Sequence, residues 1–78
     1  MPTVLEIDGY EFLFRSNDCP EPPHAHVRGN GGTAKVWLDP VRLARSSYNR
    51  RRTDEVLSIV IGHRGYLSGR WSEFCGRA

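Results

Sequence analysis

Hydrophobic and polar residues alternate in two short runs near the start of the chain. Thr3–Ile7 and residues 10–15 are rich in β-branched and aromatic side chains, which favour strands. Between them lies Asp8-Gly9, a dipeptide typical of a two-residue type I′ hairpin turn. The three aromatic residues of the second run occupy alternate positions, so we expect one aromatic face to meet the core.

A second pair of strands is predicted after a proline-rich loop. Residues 16–23 contain three prolines, which cannot donate ladder hydrogen bonds and favour a stiff loop. Residues 24–28 and 33–38 have strand composition around a glycine-rich connection, which predicts a second hairpin. Residues 41–45 alternate for only five positions, for which we favour a short extra strand over a helical turn.

The last third of the chain has helical periodicity. Asn49 is suited to cap a helix over about residues 50–74. One stripe, with steps of three or four residues, comprises Val56, Val60, His63, Leu67, Trp71 and Phe74. This stripe should cover the sheet. Gly62, Gly65 and Gly69 each cost roughly 0.8–1 kcal/mol relative to alanine, so we expect the helix to bend or break near residues 62–65.

These patterns predict one α+β domain over residues 1–78. Its two N-terminal antiparallel β-hairpins should form one sheet, with a short extra strand, packed by a C-terminal α-helix. A chain of 78 residues holds one core rather than two. Such a small core gives little net stability, so a homodimer is a reasonable way to add more.

The sequence also bears on the compartment. No stretch approaches the roughly 18 apolar residues that span a bilayer, and the N-terminus lacks signal-peptide character. We therefore expect a cytoplasmic protein without membrane contact. Cys19 and Cys75 are the only cysteines, and in that compartment they should be reduced rather than bridged.

The basic residues are unevenly distributed. The formal net charge is +2, and ten arginines accompany a single lysine. Arginine is suited to planar contacts with phosphate or carboxylate. Five arginines fall within eleven residues: Arg42, Arg45, Arg50, Arg51 and Arg52. Because the last three would meet the positive end of the helix dipole, they favour an anionic partner, either RNA or a small acidic protein.

Several short motifs resemble a known family. They are Met1-Pro2-Thr3-Val4, Ser16-Asn17-Asp18, Pro22-Pro23-His24-Ala25-His26-Val27, Ala34-Lys35-Val36-Trp37-Leu38 and a closing helix with His63. Together they resemble the small bacterial proteins of domain-of-unknown-function family 4160. Such proteins are often encoded beside a small protein of family 2442, and the pairs are commonly regarded as toxin–antitoxin modules. The resemblance suggests such a two-gene module here and brings no catalytic residues.

Candidate catalytic side chains are most concentrated on the predicted strand after the proline-rich loop. Side chains alternate in a strand, so His24, His26 and Arg28 share one face while Ala25 and Val27 share the other. We expect the apolar pair to pack inward and the other three to form a solvent-facing stripe. An RNA-cleaving site could use one histidine as base, one as acid and the arginine on the phosphate. Alternatively, the histidines brace the loop through hydrogen bonds to its carbonyls.

A metal site is the third interpretation of this strand. Two imidazoles on one face can share a cation, and Cys19 could supply a thiolate. Structural zinc usually requires four ligands in recognisable pairs, and no second pair is present. Asp18 or His63 could complete the set only through folding. The sequence therefore predicts no metal ligand set and no cofactor.

The leading hypothesis is an RNA-directed component of a toxin–antitoxin-type module. If the protein is an enzyme, we expect a ribonuclease-like toxin with catalytic His24, His26 and Arg28, in which Arg50 to Arg52 help to hold the RNA. The alternatives are a non-enzymatic protein-interaction module with a structural histidine strand, and a metal-binding domain.

Overall fold

The computed structural model describes residues 3–76, which form an antiparallel sheet and two helices. The strands are β1 (Thr3–Ile7), β2 (Tyr10–Leu13), β3 (His24–Gly29), β4 (Gly32–Leu38) and β5 (Val41–Ser46), and the helices are α1 (Arg50–Gly62) and α2 (Arg64–Cys75). The five strands neighbour one another in chain order. The expected α+β class is confirmed: pairing of β2 with β3 joins the two hairpins into one meander, and the extra strand β5 extends it beside β4.

Tight turns connect the paired strands. Asp8 and Gly9 have φ of 53° and 84°, and Asn30 and Gly31 have φ of 49° and 82°. Two consecutive positive φ angles characterise the type I′ turn, whose twist matches that of the flanking strands. The predicted turn at Asp8-Gly9 is therefore confirmed, and Asn30-Gly31 is its counterpart between β3 and β4.

One face of the sheet carries the hydrophobic core. Tyr10, Phe12 and Phe14 have no exposed surface, which confirms the predicted aromatic face. The buried helical residues that cover this face are Val56, Val60, Leu67 and Trp71. Phe14 and Trp71 meet edge to face, with ring centroids 5.3 Å apart, a geometry that aromatic quadrupoles favour.

The prediction of one C-terminal helix is wrong, because the segment forms two helices, α1 and α2. The helix begins as predicted, because the Asn49 side chain accepts a hydrogen bond from the Arg52 amide. It is interrupted at His63, which has φ of −121° and ψ of 16°, within the expected bend. The His63 Nδ1 donates to the Ile59 carbonyl at 2.9 Å and so satisfies a terminal acceptor of α1. No helix within residues 3–76 is long and apolar enough to cross a membrane.

A disulfide joins Cys19 to Cys75, with their Cα atoms 5.4 Å apart. The expectation of two reduced thiols is therefore wrong. The two cysteines are 56 residues apart in sequence, but folding brings the loop between β2 and β3 beside the last turn of α2. The disulfide ties that loop to the helix layer.

Candidate functional site

The loop between β2 and β3 covers the histidines on the face of the sheet opposite the core. Ala25 and Val27 are buried in the core, as predicted. However, His24 is 0% and His26 only 7% exposed, so the predicted solvent-facing stripe is wrong for both histidines. The reason is tertiary, because Asp18 in the loop lies against both imidazoles.

Asp18, His24 and His26 form a compact group, which we call the Asp–His–His cluster. The Asp18 Oδ2 lies 2.5 Å from the His26 Nε2 and 3.1 Å from the His24 Nε2. One ligand atom from each residue lies within 4.8 Å of the others. Asp18 ends the single turn of 3₁₀-helix at Ser16–Asp18, so a short local structure aims its carboxylate at the strand.

The two ring nitrogens of His24 have different surroundings. Its Nδ1 lies 2.9 Å from the Pro22 carbonyl oxygen, which can only accept, so Nδ1 carries the proton. Its Nε2 is buried and has no hydrogen-bond partner within residues 3–76. The Asp18 Oδ2 lies 3.1 Å from this nitrogen, within ion-pair distance, but the two atoms do not have the geometry of a hydrogen bond.

Burial and charge oppose each other in this cluster. Burial disfavours the charged form of Asp18, but its contacts with His26 and His24 outweigh that effect and hold its pKa below the ordinary 3.8. Burial lowers the pKa of His26 below 6.5, and the contact with Asp18 offsets this only in part. The cluster therefore favours an ionised Asp18 beside a neutral His26 near pH 7.

Aromatic rings fix the position of His24. The centroid of its imidazole lies 5.3 Å from the Trp37 ring and 5.1 Å from the Trp71 ring. The His26 ring lies edge-on at 5.1 Å. Contacts from β4 and α2 thus restrict the ring, and the hydrogen bond to Pro22 sets its rotation.

Arg28 does not join the cluster. It is exposed, as predicted, and its Nε donates to the Glu11 Oε1 at 2.7 Å. Hydrogen bonds from Arg28 and from Thr3 hold the pKa of Glu11 below 4.5. The third residue of the expected catalytic set is therefore paired with β2 instead of with the histidines.

Beyond the histidines, the same side of the sheet carries a basic face, formed by Lys35, Trp37, Arg42 and Arg45. Arg45 lies opposite Lys35, and Arg42 lies opposite Trp37; directly opposed residues share a face. Lys35 is bound to Glu21 at 2.9 Å. Arg42 and Arg45 are exposed and form no hydrogen bond or ion pair within residues 3–76. Two free guanidinium groups therefore lie on β5, one across from Lys35 and the other across from the partly buried Trp37.

A small cavity adjoins the basic face. It has a volume of about 180 Å³ and is lined by Pro22, Trp37, Asp39, Pro40 and Arg42. The aromatic side chain at this surface is Trp37, which lies five residues before Arg42 and eight before Arg45, on a different strand. Cross-strand register, which depends on the β4–β5 turn, brings them together.

Tyr48 lies in sequence between the arginines of β5 and those at the start of α1, but its side chain turns inward. Its hydroxyl lies 2.7 Å from the Gly29 carbonyl oxygen and 2.9 Å from that of Gly32. This hydroxyl bridges the two ends of the β3–β4 turn, so Tyr48 is not available for base stacking.

The arginines at the start of α1 differ in their pairing. Arg50 lies 3.8 Å from the Asp54 carboxylate. Arg52 hydrogen-bonds the Tyr10 hydroxyl, which itself donates to Glu55 at 2.7 Å. Arg51 is exposed and has no such partner within residues 3–76. The unpaired members of the predicted basic set are thus Arg51 and the two arginines of β5.

Of the residues considered for a metal site, folding brings only Asp18 to the histidines. The Cys19 sulfur is used in the disulfide, and His63 lies at the junction of α1 and α2. One sequence feature could have indicated that Asp18 belongs to the site. Asp18 ends the Ser16-Asn17-Asp18 motif, just before the proline-rich segment that leads into β3.

Fold and site together define a small α+β domain with a buried Asp–His–His cluster and an exposed basic face. The chain belongs to the family described as domain of unknown function (DUF4160), whose model matches residues 9–72. This range includes the loop, both histidines and the basic face. No curated protein and no solved structure matches the chain.

Proposed function

We propose that this protein is an RNA-directed component of a toxin–antitoxin-type two-gene module and binds RNA on the basic face. The observation that carries the proposal is the pair of unpaired arginines, Arg42 and Arg45, on the same side of the sheet as Trp37. Arginines contact phosphates, and an aromatic ring stacks on bases without regard to sequence. The cavity beside Trp37 offers room next to that ring.

Salt dependence gives a quantitative test. Each phosphate contact with single-stranded RNA contributes about 0.7 to the slope of log affinity against log salt concentration. If each β5 arginine contacts one phosphate, the double variant Arg42→Ala/Arg45→Ala should reduce the slope by about 1.4. Fluorescence anisotropy of a labelled single-stranded RNA, titrated with protein at several salt concentrations, measures this slope. Arg64→Ala is the matched control, because Arg64 is exposed at the start of α2.

Two results would count against RNA binding. The first is that wild-type protein shows no salt-dependent binding of RNA. The second is that the double variant binds RNA with the same affinity, and the same dependence of affinity on salt, as the Arg64→Ala control.

RNA cleavage by His24, His26 and Arg28 stays a prediction within this proposal. The His24 ring has no exposed surface, so cleavage at this ring requires the loop over it to move away from the sheet. Incubation of RNA with wild type and His26→Gln tests the assignment. Equal cleavage by both proteins would remove the histidine from the mechanism, while RNA binding would be unaffected.

A non-enzymatic interaction module is the second candidate function. It is favoured by the hydrogen bond from His24 to Pro22 and the contact of His26 with Asp18, since these contacts brace the loop. In this case the arginines of the basic face would dock an acidic protein. Stoichiometric binding of the purified product of the adjacent gene, lost in Arg42→Ala/Arg45→Ala and without affinity for RNA, would favour it.

The proposal also places the protein in the cytoplasm, and the disulfide allows a test. Disulfides usually persist in oxidising compartments. Alkylation trapping of Cys19 and Cys75 in intact cells measures their redox state. Fully oxidised protein in cells would argue against a cytoplasmic location.

A further inference from the structure

We propose that the Asp–His–His cluster binds a divalent transition-metal ion of the zinc class, with a water molecule as the fourth ligand. The inference does not depend on RNA binding. It rests on the buried His24 Nε2, on the geometry of the three donor atoms and on the chemistry of the set.

The surroundings of the His24 ring favour a bound cation. Donation from Nδ1 to the Pro22 carbonyl leaves a lone pair on Nε2 in the neutral ring. That lone pair is buried without a partner within residues 3–76, an arrangement that destabilises the folded protein when nothing occupies the site. A cation bound there would remove this cost. A backbone carbonyl on the other ring nitrogen is also the usual outer partner of a metal-binding histidine.

The Asp18 oxygen and the two histidine nitrogens lie near the spacing that a zinc site requires. Zinc bonds of about 2.0–2.1 Å in a tetrahedral site place neighbouring ligand atoms about 3.3 Å apart. The Asp18 Oδ2 lies 3.1 Å from the His24 Nε2, which already fits, and 2.5 Å from the His26 Nε2. A shift of the carboxylate by less than about 1 Å away from His26 corrects that pair. The three donor atoms lie within 4.8 Å of one another, so the two histidine nitrogens must also approach by up to about 1.5 Å, through rotation of the rings, to hold one ion. Asp18 belongs to a loop, whereas both histidines belong to a central strand.

The chemical types of the three donor atoms select the class of metal. Two imidazoles and one carboxylate suit zinc, iron, nickel or copper better than magnesium or calcium, which prefer oxygen ligands. Three protein ligands leave one position of a tetrahedral ion open, as in zinc sites that keep a water. The Asp18 side chain is 14% exposed, so water can approach on the loop side.

The test uses untagged protein with its disulfide intact, stripped with a chelator and kept free of reductant and RNA. Calorimetric titration with Zn²⁺ should show one ion per chain, and Co²⁺ should give the visible absorption of a four-coordinate site. Asp18→Asn and His26→Gln each remove a ligand. We expect each to weaken binding by at least about 100-fold, since loss of an outer partner alone costs 10–100-fold.

His63→Gln is the matched control, because His63 lies outside the cluster, and it should bind like wild type. Circular dichroism confirms that each variant is folded, and Zn²⁺ should raise the melting temperature of wild type but not of Asp18→Asn. The proposal is overturned by folded wild type that binds no ion stoichiometrically. It is equally overturned if Asp18→Asn binds like wild type or if His63→Gln loses the ion. Because RNA is absent, none of these results bears on the basic face.

Discussion

Removal of the Cys19–Cys75 disulfide should destabilise the protein strongly. The cysteines are 56 residues apart in a chain of 78, so the bond restricts most of the unfolded chain. For a loop of this length, the chain-entropy relation gives about 14 cal/mol/K, or about 4 kcal/mol at 25 °C. A domain of this size has a total free energy of unfolding of about 4–12 kcal/mol, so the disulfide supplies a large share of it.

Urea and thermal unfolding of wild type and Cys19→Ala/Cys75→Ala measure this contribution. At about 4–8 °C per kcal/mol, the melting temperature of the variant should fall by about 16–32 °C. Reductant should lower the melting temperature of wild type by a similar amount. It should leave the melting temperature of the variant unchanged, which shows that reductant acts only through the disulfide. Two titratable thiols in unreduced wild type, or an unfolding midpoint that does not respond to reductant, would contradict this contribution of the disulfide.

The remaining predictions concern the hydrogen bonds that fix the sheet and the helix. Tyr48→Phe removes the hydroxyl that bridges the two ends of the β3–β4 turn. It should lower the free energy of unfolding, measured by urea titration, by about 1–1.5 kcal/mol. An unchanged free energy would mean that the hydroxyl forms no hydrogen bond to the turn. Asn49→Ala removes the cap on the Arg52 amide and should cost about 1 kcal/mol, whereas Asn49→Asp should retain the cap and the stability. The pKa of Glu11 is lowered in the folded protein by Arg28, so its stabilising effect is present above about pH 4.5 and is lost as pH falls through the lowered value. Urea midpoints of wild type and Glu11→Gln should therefore converge on acidification, and a constant difference would contradict this cause.

Much of the secondary structure was predictable because its determinants are local. The turn at Asp8-Gly9 needs two residues that tolerate positive φ, and both are adjacent in sequence. The cap at Asn49 needs one polar side chain before a helical run. The interruption of the helix near Gly62 was expected from the low helix propensity of its glycines, but its position at His63 depends on how the two halves pack on the sheet.

The site was less predictable because its parts come from different elements. Strand alternation correctly placed Ala25 and Val27 in the core and the histidines on the opposite face. Alternation cannot show whether that opposite face is open. The loop that buries His24 was visible only as a run of prolines, with nothing in it to specify a direction.

The sequence by itself therefore determined the class of the domain, the strands, the turns, the helix start and the identity of the histidine strand. These depend on period, propensity and turn chemistry within a few residues. The tertiary structure alone decided that the loop folds over the histidines, that Asp18 joins them, that Cys19 bonds Cys75, and that Trp37 lies beside Arg42. Each of these contacts joins separate elements, so it exists only once strand register and helix packing have been set.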